Sequence, residues 1–182
     1  VSWSVAGSEF KKALQQVVFA ASNDETRPVL TGILLTTKKG KLHMAATDSY
    51  RLAEKTLGSN KQDVQLLIPA SAMQDLLRVL GDGDEEIKIT HDEQQVLFTV
   101  GDVELVTRLV DGKYPDYQKL IPEKFETSAT LKRADLVNVT KVSSLFARES
   151  AGSVTIELDE ASKKLSIRSV ASQLGENTAT AD

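Results

Sequence analysis

Cysteine is absent from the 182-residue chain. That excludes disulfides, thiol nucleophiles and cysteine metal ligands, and it fits a reducing compartment. Histidine occurs only twice, at His43 and His91. His43 falls in an alternating stretch and His91 in a turn, and neither has a partner at metal-ligand spacing. Aromatic residues make up 5%, too few for the stacking platforms of single-strand nucleic-acid binding. No recognition motif for sequence-specific readout of a duplex is visible. No apolar run approaches the roughly 18 residues that a spanning helix needs, and no basic-then-apolar leader opens the sequence. Glycine-rich phosphate loops and a Gly-x-Ser-x-Gly nucleophile turn are missing too. No catalytic residue, cofactor site or metal site is expected from this inventory.

What remains suits one or two globular domains. Hydrophobic residues make up 41% and charged residues 26%, outside the range of disordered tails. The net charge is −4, from 22 basic and 26 acidic residues. A protein gripping DNA over its whole surface would be basic, so any DNA role must rest on a local basic face. The sequence starts at Val1 without methionine and ends at Asp182 in a polar stretch, which points to a piece of a longer protein.

Two segments have helical periodicity. In Ser8–Ser22 the apolar residues Phe10, Leu14, Val17, Val18 and Ala21 share one face, and Ser8 is the expected N-cap. Ser71–Leu80 carries Leu76, Leu77 and Leu80, with Ser71 and Gln74 as a capping box and Gly81 as its end. Strands are expected at Leu30–Thr37, Lys41–Thr47, Tyr50–Leu57, Val64–Ile68, Glu86–Thr90, Gln95–Val100 and Val103–Val110. Gly101-Asp102 is a two-residue hairpin signal of type II′. The pattern is α+β and twofold within about 120 residues. A weaker copy follows: a strand at Thr127–Leu131, a helix at Ala134–Phe146, and strands at Ser153–Leu158 and Leu165–Val170. The boundary is placed near Pro122–Phe125, giving domains of 1–122 and 123–182.

Several groups admit both a functional and a structural reading. The run Asp82-Gly83-Asp84-Glu85-Glu86 invites a metal-binding enzyme loop, but it lacks calcium-loop spacing and follows a helix end, where a solvated turn is expected. Asp48 has the chemistry of a turn-capping carboxylate. Lys11, Lys12, Arg78, Lys132, Arg133 and Lys141 lie on or beside helices, either as solvated faces or as phosphate contacts. Leu30, Leu52, Pro115 and Leu120 fit ordinary core or an apolar notch for a peptide.

Three segments then carry a resemblance: Thr26-Arg27-Pro28-Val29-Leu30-Thr31-Gly32, Ala46-Thr47-Asp48-Ser49-Tyr50-Arg51-Leu52-Ala53, and Arg108-Leu109-Val110-Asp111-Gly112-Lys113-Tyr114-Pro115-Asp116-Tyr117. In this order, with Val103-Glu104-Leu105, the chain resembles the bacterial DNA polymerase III beta subunit family of sliding clamps. The resemblance covers the middle domain and about the first half of the third. It implies a DNA-clamp fold: two helices packed on antiparallel sheets per domain, here one complete domain plus a partial repeat. It also implies a cytoplasmic, non-catalytic processivity factor without cofactors. That factor would be a homodimeric ring around double-stranded DNA, held through phosphates without sequence preference. Partners implied are the polymerase III catalytic subunit, the clamp loader, other polymerases and repair proteins, all docking through short apolar peptides. The matching pocket residues are Leu30, Thr47, Ser49, Tyr50, Arg51, Leu52, Pro115, Lys119 and Leu120. Leu30, Leu52 and Leu120 would form the floor, Pro115 the wall, and Thr47 and Arg51 polar contacts. Arg27 joins the implied DNA contacts. Many members have Gly-His where this chain has Ser49-Tyr50. The loop Asp24–Pro28 lacks an aromatic pair some members carry, and Ala70-Ser71 replaces basic residues found in others.

Overall fold

A computed structural model of the chain describes residues 1–81, 83, 85–147, 152–171 and 175–181. It contains two compact units, Val1–Ile121 and Pro122–Asp182.

The first unit is built from two halves of one design. Strand β1 (Ser2–Ala6) and helix α1 (Gly7–Val17) lead into the meander β2 (Gly32–Lys38), β3 (Lys41–Thr47) and β4 (Leu52–Ser59). Strand β5 (Gln65–Pro69) and helix α2 (Ala70–Val79) lead likewise into β6 (Glu86–His91), β7 (Gln95–Val100) and β8 (Val103–Arg108). The leading strands are exchanged. β1 pairs with β6 of the second half, and β5 pairs with β2 of the first, so the sheets run β1-β6-β7-β8 and β4-β3-β2-β5. Every ladder is antiparallel. At the β7–β8 hairpin Gly101 has φ +57 and Asp102 does not enter the left-handed region, as a type II′ turn requires. Consecutive amides then tie the sheets together: Leu109 donates to the Gln94 carbonyl at 2.8 Å and Val110 to that of Leu67 at 2.8 Å.

The main core lies under the helices. Phe10, Ala13, Leu14 and Val17 of α1 and Met73 and Leu76 of α2 pack with Ile33, Leu35, Met44, Ile68, Ile87, Ile89, Val96 and Phe98. The Phe10 and Phe98 rings meet at 6.3 Å. A second cluster occupies the other face of the β4-β3-β2-β5 sheet: Leu34, Ala45, Leu67, Tyr114 and Tyr117, with Val29, Leu52 and Val110 against it. That sheet is therefore apolar on both faces at its centre, and the run Ile33-Leu34-Leu35 matches double coverage.

Three sequence expectations need correction. Neither Ser8 nor Ser71 caps a helix: the N-cap positions are Ala6 and Pro69, with no side-chain cap bond. Both helices follow their leading strands directly, which leaves no loop for a capping side chain. For α1 the Glu85 carbonyl accepts from Gly7 N at 2.9 Å. The third correction is Thr127–Leu131, which forms no strand.

The second unit has helix α3 (Arg133–Ala147) followed by a meander of β9 (Thr155–Asp159), β10 (Lys164–Ala171) and β11 (Gly175–Ala181), ordered β11-β10-β9. This repeats α1 with β2, β3 and β4. Val139, Leu165, Ile167 and Ala181 form its core, with Leu131 and Ala179 against it. In the first unit a leading strand pairs with the other half's meander. No second meander exists among the described residues of this unit, so Thr127–Leu131 lacks the kind of partner that β1 and β5 find in the other half.

Candidate peptide-docking surface

Register places one candidate cluster at one end of the second sheet. Leu34 faces Ala45 across β2–β3, so two residues further on Gly32 lies level with Thr47, which pairs with Leu52. Gly32 also pairs with Pro69. The 3-10 turn Pro28–Thr31, carrying Leu30, thus ends at the edge where the β3–β4 hairpin turns.

That hairpin is held by its own polar groups. Asp48 Oδ1 accepts from the amides of Tyr50 at 3.0 Å and Arg51 at 2.9 Å, and Oδ2 takes Arg51 Nε at 3.1 Å. The Arg51 amide, followed by Tyr50 and the guanidinium, holds the Asp48 carboxyl below the usual carboxylate range. Asp48 is the turn cap that its position implied. Thr47 donates to the Arg51 carbonyl at 2.7 Å and accepts from Ser49 N at 3.2 Å. Thr47 is 4% exposed and its hydroxyl is engaged inside the turn. Ser49 has φ +79, a conformation that favours glycine. Its strain is offset by the Thr47 bond and by Arg27 Nη1 donating to its Oγ at 3.1 Å. The turn pushes Tyr50 into solvent at 94% exposure, extreme for an aromatic side chain. The Arg51 guanidinium lies 5.5 Å from the centroid of Phe19, itself 56% exposed. Phe19 was not singled out in the sequence, where it lies inside the expected helix but off its apolar stripe and carries no signal of its own.

The segment 110–121 straps the outer face of the same sheet. Tyr114 and Tyr117 meet edge to face at 6.4 Å over Leu34, Ala45 and Leu67. Burial pushes the Tyr114 phenol up to about 12. The Thr47 main chain opposes that shift only weakly, and the hydroxyl makes no well-formed hydrogen bond. Tyr117 is raised further by burial, by donating to Glu54 and by the charge on that carboxylate. Gly112, at φ +123, passes so close to Val29 that a Cβ would sit 2.6 Å from its Cγ1. Pro115, Lys119 and Leu120 ride on this strap; Leu120 is 66% exposed and Lys119 pairs with Asp116 at 3.1 Å. Leu52 is half-buried against the tyrosines. Leu30 is buried, whereas Tyr50, Pro115 and Leu120 are exposed.

The cationic candidates separate. Lys12 on α1 is exposed, while Lys11 donates to the Gly81 carbonyl at 3.0 Å, beyond the end of α2. Arg78, in the last turn of α2, pairs with Asp75 at 2.6 Å. Arg27 lies beside Ser49, at the hairpin rather than on a helix. Lys132, Arg133 and Lys141 are exposed on the second unit. Lys132 and Arg133 stand at the positive end of α3, where cations are disfavoured, with Asp135 as the compensating charge of its first turn.

His43 and His91 serve locally. His43 Nδ1 lies 3.2 Å from Glu54 Oε1, and the His91 amide donates to the Val1 carbonyl at 2.9 Å. In the acidic run, Asp82 and Asp84 lie outside the described residues; Glu85 offers its carbonyl to α1 and Glu86 opens β6. Among the described residues no three His, Asp or Glu side chains converge on a metal position, and no helix is long and apolar enough to cross a membrane.

Comparison with known proteins gives this geometry a lineage. Residues 4–116 match the family described as the DNA polymerase III beta subunit, central domain. A beta sliding clamp of Staphylococcus epidermidis is 35% identical over 167 residues, covering 91% of this chain and 44% of the relative. Among solved structures, the DNA polymerase III beta chain of Streptococcus pneumoniae superposes with a TM-score of 0.91 at 29% identity, and the sliding clamp of Bacillus subtilis with 0.90 at 30%. All of this chain is covered in both, against 49% and 48% of those chains. The chain thus spans about half the length of the relatives it matches, and it belongs to the bacterial DNA polymerase III beta subunit family, the beta sliding clamps.

Proposed function

We propose that the protein to which this chain belongs is a non-catalytic processivity factor that encircles duplex DNA and tethers the replicative polymerase. Residues 1–122 are read as its middle domain and 123–182 as the opening of its C-terminal domain. In the homodimeric ring, Lys11, Lys12 and Arg78, with Lys132, Arg133 and Lys141, face the phosphates. Arg27 is a weaker fit, since its guanidinium is engaged at the hairpin. Phosphate contacts carry no sequence information and permit sliding, so topology rather than affinity retains the ring on DNA.

The surface of Tyr50, Leu52, Pro115 and Leu120, framed by Leu30, Thr47, Ser49, Arg51 and Lys119, is read as the dock for apolar peptides of the polymerase, clamp loader and repair proteins. The family match over residues 4–116 carries this reading. Its test uses the full-length protein loaded on nicked circular DNA by a clamp loader with ATP. Retention on the circle and release on linearisation are expected; equal retention on linear DNA with free ends defeats the ring. For the dock, Leu52→Ala is expected to weaken a partner peptide by about 1–3 kcal/mol, read by fluorescence polarisation. Unchanged affinity in a folded variant removes Leu52 from the surface.

A further inference from the structure

Three residues of the docking surface, Pro115, Lys119 and Leu120, sit on a strap with no regular ladder of its own. Beyond its two rings and the Val110 amide on the Leu67 carbonyl, the strap is held by a chain of polar contacts across three strands. Tyr117 Oη donates to Glu54 Oε1 at 2.8 Å. Lys38 Nζ donates to the same Oη at 3.4 Å and lies 4.7 Å from the Tyr117 ring centroid. His43 Nδ1 lies 3.2 Å from Glu54 Oε1 and 3.2 Å from Thr56 Oγ1. The contact with a carboxylate assigns the proton to Nδ1, since a bare ring nitrogen would repel the oxygen.

These groups share one face. Lys38 is on β2, His43 on β3, Glu54 and Thr56 on β4, and each lies an even number of residues from Leu34, Ala45 or Leu52 of the outer cluster. The Glu54 side chain is 24% exposed, although the main chain of its edge strand is open. Tyr117 is 1% exposed. Glu54 stands two residues along β4 from Leu52, so one residue anchors the strap beside the strand that supplies the apolar floor.

We propose that the Lys38–Tyr117–Glu54–His43 chain is a latch that seats the 110–121 strap on the sheet and thereby sets the affinity of the docking surface. Glu54 and Tyr117 are positioning residues: they act through the placement of Pro115 and Leu120 and do not touch the peptide. The inference rests on the peptide-docking reading. Loss of the latch leaves the rings packed and the sheet intact but frees the strap to move, so binding must then order it again.

The test uses full-length Tyr117→Phe and Glu54→Gln and their combination. The probe is a labelled, mostly apolar peptide from the C-terminus of the polymerase catalytic subunit. Amide exchange of residues 110–121 is followed in the same proteins. A hydrogen bond to a charged partner is worth about a tenfold change in an equilibrium. Tyr117→Phe is therefore expected to weaken the peptide about tenfold and speed strap exchange by a similar factor, with α1 amides unchanged. Glu54→Gln keeps a carbonyl acceptor and loses only the charge, so it should weaken the peptide less than Tyr117→Phe, and the double variant should lose no more than Tyr117→Phe alone, because both act on one bond. Ile89→Val, in the core of the other sheet, should lower stability without moving peptide affinity, which separates positioning from general destabilisation. Failure of the unaltered protein to bind the peptide overturns the docking reading. If it binds, equal affinity in Tyr117→Phe overturns the latch, as does unchanged exchange in the strap.

Discussion

Ser49 shows how one residue can carry a local cost for the shape around it. Its φ of +79 lies where a Cβ is disfavoured by roughly 1–2 kcal/mol. The relief would come from glycine, which has no Cβ to clash there. Ser49→Gly is expected to raise stability by about 1 kcal/mol, less a few tenths for the Arg27 hydrogen bond it removes at an exposed site, as read by urea unfolding. A variant no more stable than its parent would mean that the Arg27 bond to the Ser49 hydroxyl already cancels the strain, since the Thr47 bond is made by the main-chain amide and survives the substitution. Asp48 adds a pH test. Its folded value is depressed, below about 3.9 for an unfolded aspartate. Its contribution is then fully present above about pH 3.9 and fades as pH falls through the folded value. Asp48→Asn should destabilise at pH 7 by roughly 1 kcal/mol, discounted for solvent exposure, and the gap should close as pH falls through the folded value. A gap that persists in acid would assign the effect to shape rather than charge. Asp48 was legible as a turn residue because its chemistry is local. The Ser49 conformation was not, because serine only tolerates it.

Elements were legible where periodicity had time to build. The stripes of α1 and α2 and the strands of both meanders stand in the sequence within a few residues of their places. The helix starts were misread because a strand feeding straight into a helix leaves the cap to a distant carbonyl, here Glu85. β11 gave no signal: its sequence Gly-Glu-Asn-Thr-Ala-Thr-Ala has no large apolar residue, and only its place beside β10 makes it a strand. The strap was visible as a motif, yet its job of covering a second sheet face was not, since nothing local says which surface two tyrosines will meet. Gly112 is the test of that fit. Gly112→Ala adds a clash with Val29 to a backbone at φ +123, and it is expected to cost about 1–3 kcal/mol. Adding Val29→Ala should recover only part, because it removes the clash and leaves the backbone strain. Thermal unfolding of the pair measures the split; full recovery would show that the dihedral costs nothing.

For the whole molecule, the exchange of leading strands between halves was hidden because pairings as distant as Ser2 with Thr90 and Gly32 with Pro69 leave no trace in spacing. The twofold pattern was legible, and so was the tension between a net charge of −4 and a role on DNA. That tension resolves if cations concentrate on the helices while acidic groups lie elsewhere, and the helices offer a controlled comparison. Lys11 is tied to the Gly81 carbonyl beyond α2, a position where a cation steadies a helix end. Lys12, the next residue, is exposed and touches no carbonyl there. If both face phosphates, Lys12→Glu in the full-length protein should weaken DNA association and lower the slope of log affinity against log salt by about 0.9 for each phosphate left unneutralised. Folded stability should stay within about 0.5 kcal/mol. Lys11→Met should also lower stability by roughly 0.3–1 kcal/mol through the helix end. A salt series in which Lys12→Glu leaves the slope untouched would take α1 off the DNA, and the basic face would have to be sought on α2 and α3.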